Sequence, residues 1–228
     1  MKTSTLPRAM PIALIGLALL AAPAAAAPAP AAVWHMGEAS GTVMRDSSGN
    51  GNDGANRNIQ LGVPGSTGSG YRFNGTSSRV VVPNAASLNP GSADIAITVH
   101  FATTFIPDDD YDLIRKGLQT TSGGDYKIEI VNDDGVAKAR CFFRGSKGSY
   151  QKTVAVPGLM NGSYHTITCR KTATQVITTV DSQSWTHTGA IGSISNTAEV
   201  IVGAKSSATS SADWYKGSLD EIRIDIGS

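Results

Sequence analysis

Asp94-Ile-Ala-Ile-Thr-Val-His-Phe101 alternates apolar and polar side chains along its length. Ile95, Ile97, Val99 and Phe101 fall on one face, and Ala96, Thr98 and His100 on the other, which is the pattern of a strand buried on one side. The same period of two predicts strands over 79–83, 126–131, 137–143, 164–171, 175–181, 199–203 and 219–226. Turn signals separate them: Asn132-Asp-Asp-Gly135, Asn161-Gly162, and Ser/Gly/Thr clusters at 65–70 and 205–212. No stretch keeps a 3.6-residue apolar period for three turns. Short strands at this spacing predict an all-β sandwich, and the lack of repeats or linkers after residue 32 predicts one domain over 33–226.

The first residues read as targeting. Lys2 and Arg8 precede an apolar run over 10–22, and an Ala/Pro stretch over 21–32 follows, with small-residue cleavage points after Ala26 and Ala31. This predicts a signal peptide over 1–26, cut between 26 and 32, and a secreted product; an uncleaved anchor is the alternative, but the run is short for a bilayer. Removing it leaves about 196 residues, enough for one sizeable core. It also turns 19 basic against 18 acidic residues into 17 against 18. Such a balance argues against general nucleic-acid binding, and no later segment is apolar enough for stable membrane insertion.

Charge is nevertheless uneven. Residues 108–134 carry eight acids and three bases, whereas 136–180 carry seven bases and no acid: Lys138, Arg140, Arg144, Lys147, Lys152, Arg170 and Lys171. Two cysteines, Cys141 and Cys169, form an even pair in an exported chain and predict a disulfide, with two buried thiols as the alternative. Both fall on apolar faces of their strands. If those strands are adjacent, Arg140 and Arg170 become neighbours on the outer face, and the disulfide and a basic patch are one prediction. No Cys or His spacing completes a zinc set.

Several motifs resemble the laminin G-like, concanavalin A-like lectin/glucanase superfamily in its bacterial secreted form. They are Val33-Trp-His-Met-Gly-Glu38, Asp46-Ser-Ser-Gly-Asn-Gly-Asn-Asp-Gly54, Tyr71-Arg-Phe-Asn-Gly75, Leu113-Ile-Arg-Lys-Gly117, Asn161-Gly-Ser-Tyr-His165, Val180-Asp181 and Tyr215-Lys-Gly-Ser-Leu-Asp-Glu-Ile-Arg-Ile224, in an order covering 33–226. Tyr164 stands where a Trp is usual and Asn74 where Asp is frequent. The resemblance implies a jelly-roll sandwich of two antiparallel sheets, and often a structural Ca²⁺ at the rim, for which Asp46 and Asp220 are the matching carboxylates. Asp46-x-Ser48-x-Asn50-Gly51 does set oxygens at alternate positions, but Arg57 occupies the place of the bidentate Glu of an EF-hand. A tight turn is the other reading.

Catalysis is not expected. A retaining glycosidase needs two carboxylates about 5 Å apart, and the nearest row on one strand, Glu221, Arg223 and Asp225, has a guanidinium between the acids. Lys127 and Glu129 share a face with a single acid. Nucleophilic catalysis would need a Ser or Cys with a positioned His, but the four histidines are dispersed in sequence and no elbow motif surrounds any serine. The function expected is a non-catalytic carbohydrate- or matrix-binding module, in one of two forms. Arg140, Arg144, Lys147 and Arg170 bind an acidic polysaccharide or glycoconjugate, or a neutral sugar stacks on Trp214, with Trp185 and Tyr150 next and Trp34 assigned to the core. An extracellular protein partner remains a third reading. The acidic run 108–112 is expected as a solvated loop.

Overall fold

The computed structural model describes Met1 and residues 29–227; the predicted signal segment lies outside the described residues. Sixteen strands follow in chain order. They are β1 Ala32–Trp34, β2 Val43–Met44, β3 Gly54–Arg57, β4 Gln60–Pro64, β5 Ser69–Asn74, β6 Arg79–Val82, β7 Ile95–Ala102 and β8 Asp110–Lys116. The second half supplies β9 Asp125–Asp133, β10 Val136–Gly145, β11 Gly148–Val154, β12 His165–Lys171, β13 Gln175–Val180, β14 Gln183–Thr188, β15 Val200–Val202 and β16 Lys216–Ile226. They form two antiparallel sheets packed as a jelly-roll sandwich. The first runs β14-β13-β12-β7-β16-β5-β4 with β1 on β16, and the second β11-β10-β9-β8-β15-β6-β3-β2.

The alternation seen in sequence builds the core directly. Ile95, Ile97, Val99 and Phe101 of β7 are fully buried, as are Ile167 and Cys169 of the neighbouring β12. From the second sheet Tyr126, Ile128 and Ile130 of β9 and Ala139, Cys141 and Phe143 of β10 close the core opposite them. Burial of each large apolar side chain stabilises by roughly 1.5–3 kcal/mol. Trp34 is buried as expected, its Nε1 donating to the Asn52 carbonyl at 2.8 Å. Tyr150 and Trp185, read as possible sugar platforms, instead pack against the core at the sandwich edge. The Tyr150 ring stacks on His187 with centroids 3.5 Å apart, joining β11 to β14 across the two sheets.

Cys141 and Cys169 form the disulfide, with a Cα–Cα distance of 5.5 Å. It does not join adjacent strands. β10 belongs to the second sheet and β12 to the first, so the bridge crosses the core between them. The expected pairing of Arg140 with Arg170 is therefore wrong. An inward cysteine on each sheet sends the flanking arginines to opposite outer faces. Arg140 lies opposite Glu129 and Thr153, and Arg170 opposite Ala96 and Ile177.

Candidate functional site

The outer face of the second sheet assembles from the two oppositely charged stretches of sequence. Asp134 and Gly135 both have positive φ, 54° and 81°, and form the two-residue loop of the β9–β10 hairpin, closed by Gly135 N–H donating to Asn132 Oδ1 at 2.7 Å. That turn fixes the register, setting Arg140 opposite Glu129 and Arg144 opposite Asp125. On the other side of β9, a bulge at Leu113 sets Asp112 of β8 opposite Glu129. The acidic β8–β9 segment thus lies against the basic β10, and the two charge excesses cancel in space.

Each cation is held. Arg140 donates to Glu129 Oε1 at 3.1 Å and to Thr153 Oγ1 at 3.0 Å. Lys127 pairs with Glu129 Oε2, and Arg115 with Asp112 Oδ2. Arg144 pairs with Asp125 and also donates to the Leu118 and Thr121 carbonyls, tying down the 117–124 loop. Asp112 and Glu129 are fully buried. The solvated-loop reading of 108–112 therefore fails for Asp112, because the run enters β8 and pairs into the sheet. Burial pushes the Asp112 carboxyl up to about 6 despite Arg115 and Lys127 beside it. Asp110 rises to about 7 through burial and the neighbouring Glu129, Asp112 and Asp213.

Above this row lies an open cleft of about 410 Å³, lined by Arg115, Lys127, Glu129, Arg140, Phe142 and Gln151 among others. It continues over Arg115 and Lys205 to a hollow that also touches Glu199 and Ser207. From there it reaches a groove of about 630 Å³ with Val43, Ala55 and Val81 on its floor. The three together make a trough from β10 to β3, about 24 Å at about 4.8 Å per strand. Among the described residues the one partly exposed aromatic lining it is Phe142, whose ring lies 6.0 Å from Lys127 Nζ.

No protein-family model matches the chain, and no curated protein matches it in sequence. Solved structures do. Domain 4 of AbnA, a GH43 extracellular arabinanase from Geobacillus stearothermophilus, solved with arabinotriose, aligns at TM-score 0.60 and 16% identity over 88% of this chain and 94% of that one. The binding domain of Paraclostridial Mosquitocidal Protein 1 aligns at 0.63 and 16% over 86% of this chain. Trypanosoma rangeli sialidase aligns at 0.61 and 14% over 86%. The chain spans 48% of that toxin domain and 31% of the sialidase. What these alignments share with the chain is the fold, a jelly-roll sandwich of two antiparallel sheets.

Within this sandwich the remaining expected site residues scatter. Lys147 is exposed at the tip of the β10–β11 hairpin. Arg170 lies on the far sheet, 3.4 Å from Asp94. Trp214 is half-buried, its Nε1 donating to the Ser211 carbonyl at 2.9 Å, with the Arg79 guanidinium 5.5 Å from its ring. It lines a separate cleft with Phe105, Asp108 and Lys216.

The carboxylates chosen for calcium do not fit a cation shell. Asp46 accepts from the backbone N–H groups of Val33, Ser48 and Asn52 and from Ser48 Oγ, at 2.8–3.0 Å. Burial alone would raise its pKa, but those hydrogen bonds outweigh it and hold the carboxyl below the usual aspartate value. Asp220, fully buried, accepts from the Ser66, Thr67 and Glu221 N–H groups and from Ser66 Oγ. A Cβ at Gly65 would lie 2.7 Å from Asp220 Oδ2, so the 65–68 turn needs glycine there. Donor hydrogens point at both carboxylates where a metal would have to sit. The polar row of the candidate site escaped the sequence because its two acids lie on adjacent strands. Half of it was within reach, since the Asn132-Asp-Asp-Gly135 turn specifies the β9–β10 register that pairs Arg140 with Glu129.

Proposed function

We propose that this protein is an exported, non-catalytic glycan-binding module whose binding surface is the trough over the outer face of the second sheet. The observation that carries this is the trough itself: rigid hydrogen-bonding groups, oriented in advance by ion pairs, surround one available aromatic ring. Planar Arg and Gln side chains match the paired hydroxyls of a sugar, and Phe142 can cover the apolar face of a pyranose or furanose. Because Arg115, Lys127, Arg140 and Arg144 each have a carboxylate partner, this end of the trough favours uncharged sugar units over a polyanion. AbnA domain 4, a solved domain of nearly the same extent, binds arabinotriose, and a botulinum neurotoxin binding domain of similar fold was solved with SialylT.

The acids are poorly placed for catalysis. Both oxygens of Glu129 are engaged by cations, and Asp112 is paired with Arg115. Neither is free to attack an anomeric carbon or to approach a leaving oxygen.

A glycan array probed with the secreted protein tests the reading, followed by calorimetry on the neutral oligosaccharides bound. Phe142→Ala should weaken binding about tenfold, within the range for one stacked aromatic, with an unchanged melting temperature. Absence of binding to every saccharide overturns the proposal in favour of an extracellular protein partner. Release of reducing ends from a polysaccharide overturns its non-catalytic part.

A further inference from the structure

At the β3 end of the trough two arginines face each other with no acid between them. Arg57 of β3 and Arg79 of β6 are direct cross-strand partners and project to the same outer face. Like charges placed directly opposite on a sheet are destabilising. Arg79 is only 9% exposed. Its Nη1 donates to the Ser77 carbonyl at 3.2 Å, while its Nε has no hydrogen-bond partner. Among the described residues no carboxylate lies within salt-bridge distance of either Arg57 or Arg79. The third arginine of the groove, Arg45, is by contrast paired with Asp53 at 2.7 Å.

A buried guanidinium without a counter-ion is a costly arrangement, and removing it or supplying an anion are the two ways to relieve the cost. The local structure does neither. It holds Arg79 in place, with the Trp214 ring on one side and the Ser77 carbonyl on another. Arg57 is exposed beside it. Val43, Ala55 and Val81 floor the groove; of the two acids that also line it, Asp53 is paired with Arg45, and Glu199 makes no salt bridge to Arg57 or Arg79.

We infer that the groove over β2, β3 and β6 is an anion subsite, in which Arg57 and Arg79 together grip an oxyanion carried by a saccharide unit. Two adjacent guanidiniums present parallel N–H donors, the geometry that a carboxylate matches with two oxygens and a sulfate with three. The inference rests on the trough being the glycan site and adds the charge of one unit at one end. The ligand is then a mixed chain, with uncharged units over Phe142 and an acidic unit at the arginine pair. Among the described residues lining the trough, the bases without a carboxylate partner are thus on strands 54–57 and 79–82, outside the base-rich stretch 136–180 where the sequence directs attention.

The test compares carboxylated, sulfated and neutral saccharides on one array, against the wild type, Arg57→Gln and Arg79→Met. Acidic members should bind about tenfold tighter than their neutral counterparts at low salt, with the preference lost in Arg57→Gln and strongly reduced at high salt. The carboxylated and sulfated arms identify which oxyanion is used. Arg79→Met should abolish the preference with no loss of thermal stability, because it removes an uncompensated buried charge. A fall in its melting temperature, with the acidic preference intact in Arg57→Gln, makes the pair structural and overturns the inference. Equal binding of acidic and neutral members to the wild type also overturns it and leaves the proposed function standing. Failure of all saccharides to bind overturns both.

Discussion

Asp110 and Asp112 hold protons more tightly in the folded chain than a free aspartate does, because burial in the sheet penalises their charged forms. Between the ordinary aspartate value and the raised values of about 7 and about 6, the folded state retains protons that the unfolded chain releases. The pair therefore subtracts stability progressively as pH rises from about 4 to about 7, and subtracts it fully above that. Asp110→Asn should raise the melting temperature relative to wild type at pH 8 and change it little at pH 4; equal shifts at both pH values would contradict the assignment. Asp46 has the opposite sign. Its lowered pKa contributes stability at neutral pH that is lost as the solution is acidified through the carboxylate range. With three backbone N–H groups aimed at it, Asp46→Ala should cost about 2–4 kcal/mol. Since those donors occupy the place of a cation, chelator should leave the melting temperature of wild type and variant unchanged; a fall on chelation would restore the metal. The Asp46-Ser-Ser-Gly-Asn-Gly run was legible as a turn. Which groups its carboxylate faces was not, because Val33 comes from a strand outside it.

At the level of strands, a period of two reports which face a residue occupies and says nothing about which strand lies beside it. Hence Cys141, Cys169, Arg140 and Arg170 were each placed on the correct face, while the inference that their strands adjoin failed. The strands 79–82, 125–133, 136–145, 165–171, 175–180, 200–202 and 216–226 follow from alternation because each has one face on the core. β8 was missed as a strand because its outer face carries Asp110, Asp112 and Arg115, charges that read as loop until β9 and β10 are paired against them. The disulfide gives this level its prediction. Joining β10 to β12 across the core, it closes a segment with a sequence separation of 28. Its removal in a Cys141→Ser/Cys169→Ser variant should cost roughly 3–4 kcal/mol on the chain-entropy estimate, measured by denaturant unfolding. Hydrogen exchange should rise in both β10 and β12. Confinement of the increase to one of them would mean that the bridge does not couple the sheets.

In the whole molecule, the first and last of the described strands meet on one sheet, and this bears on where the proposed exported form would begin. β1 pairs with β16, setting Ala32 opposite Ile224 and Trp34 opposite Ile222. The contact continues one residue further out, where Ala31 N–H donates to the Ile224 carbonyl at 2.8 Å. The Ala31 carbonyl in turn accepts from Ser48 Oγ, Asn50 Nδ2 and Asn52 Nδ2, closing the 46–52 turn against the first strand. Both cleavage points read from the sequence offer small residues, but they differ in what they remove. A cut after Ala26 leaves this network whole. A cut after Ala31 deletes its central acceptor and leaves Asn52 Nδ2, on a residue only 3% exposed, with one N–H unsatisfied and only its bond to Ser87 Oγ at 3.0 Å. It also creates a charged amine at Ala32, which is fully buried. An unsatisfied buried donor costs about 1–3 kcal/mol, and a buried charge more. Under the proposed export, the mature protein should therefore begin upstream of Ala31, which terminal sequencing of any processed form would check. A chain starting at Ala32 should melt well below one starting at Ala27. Equal melting temperatures for the two would mean that the Ala31 contacts add nothing to the closure of the sandwich.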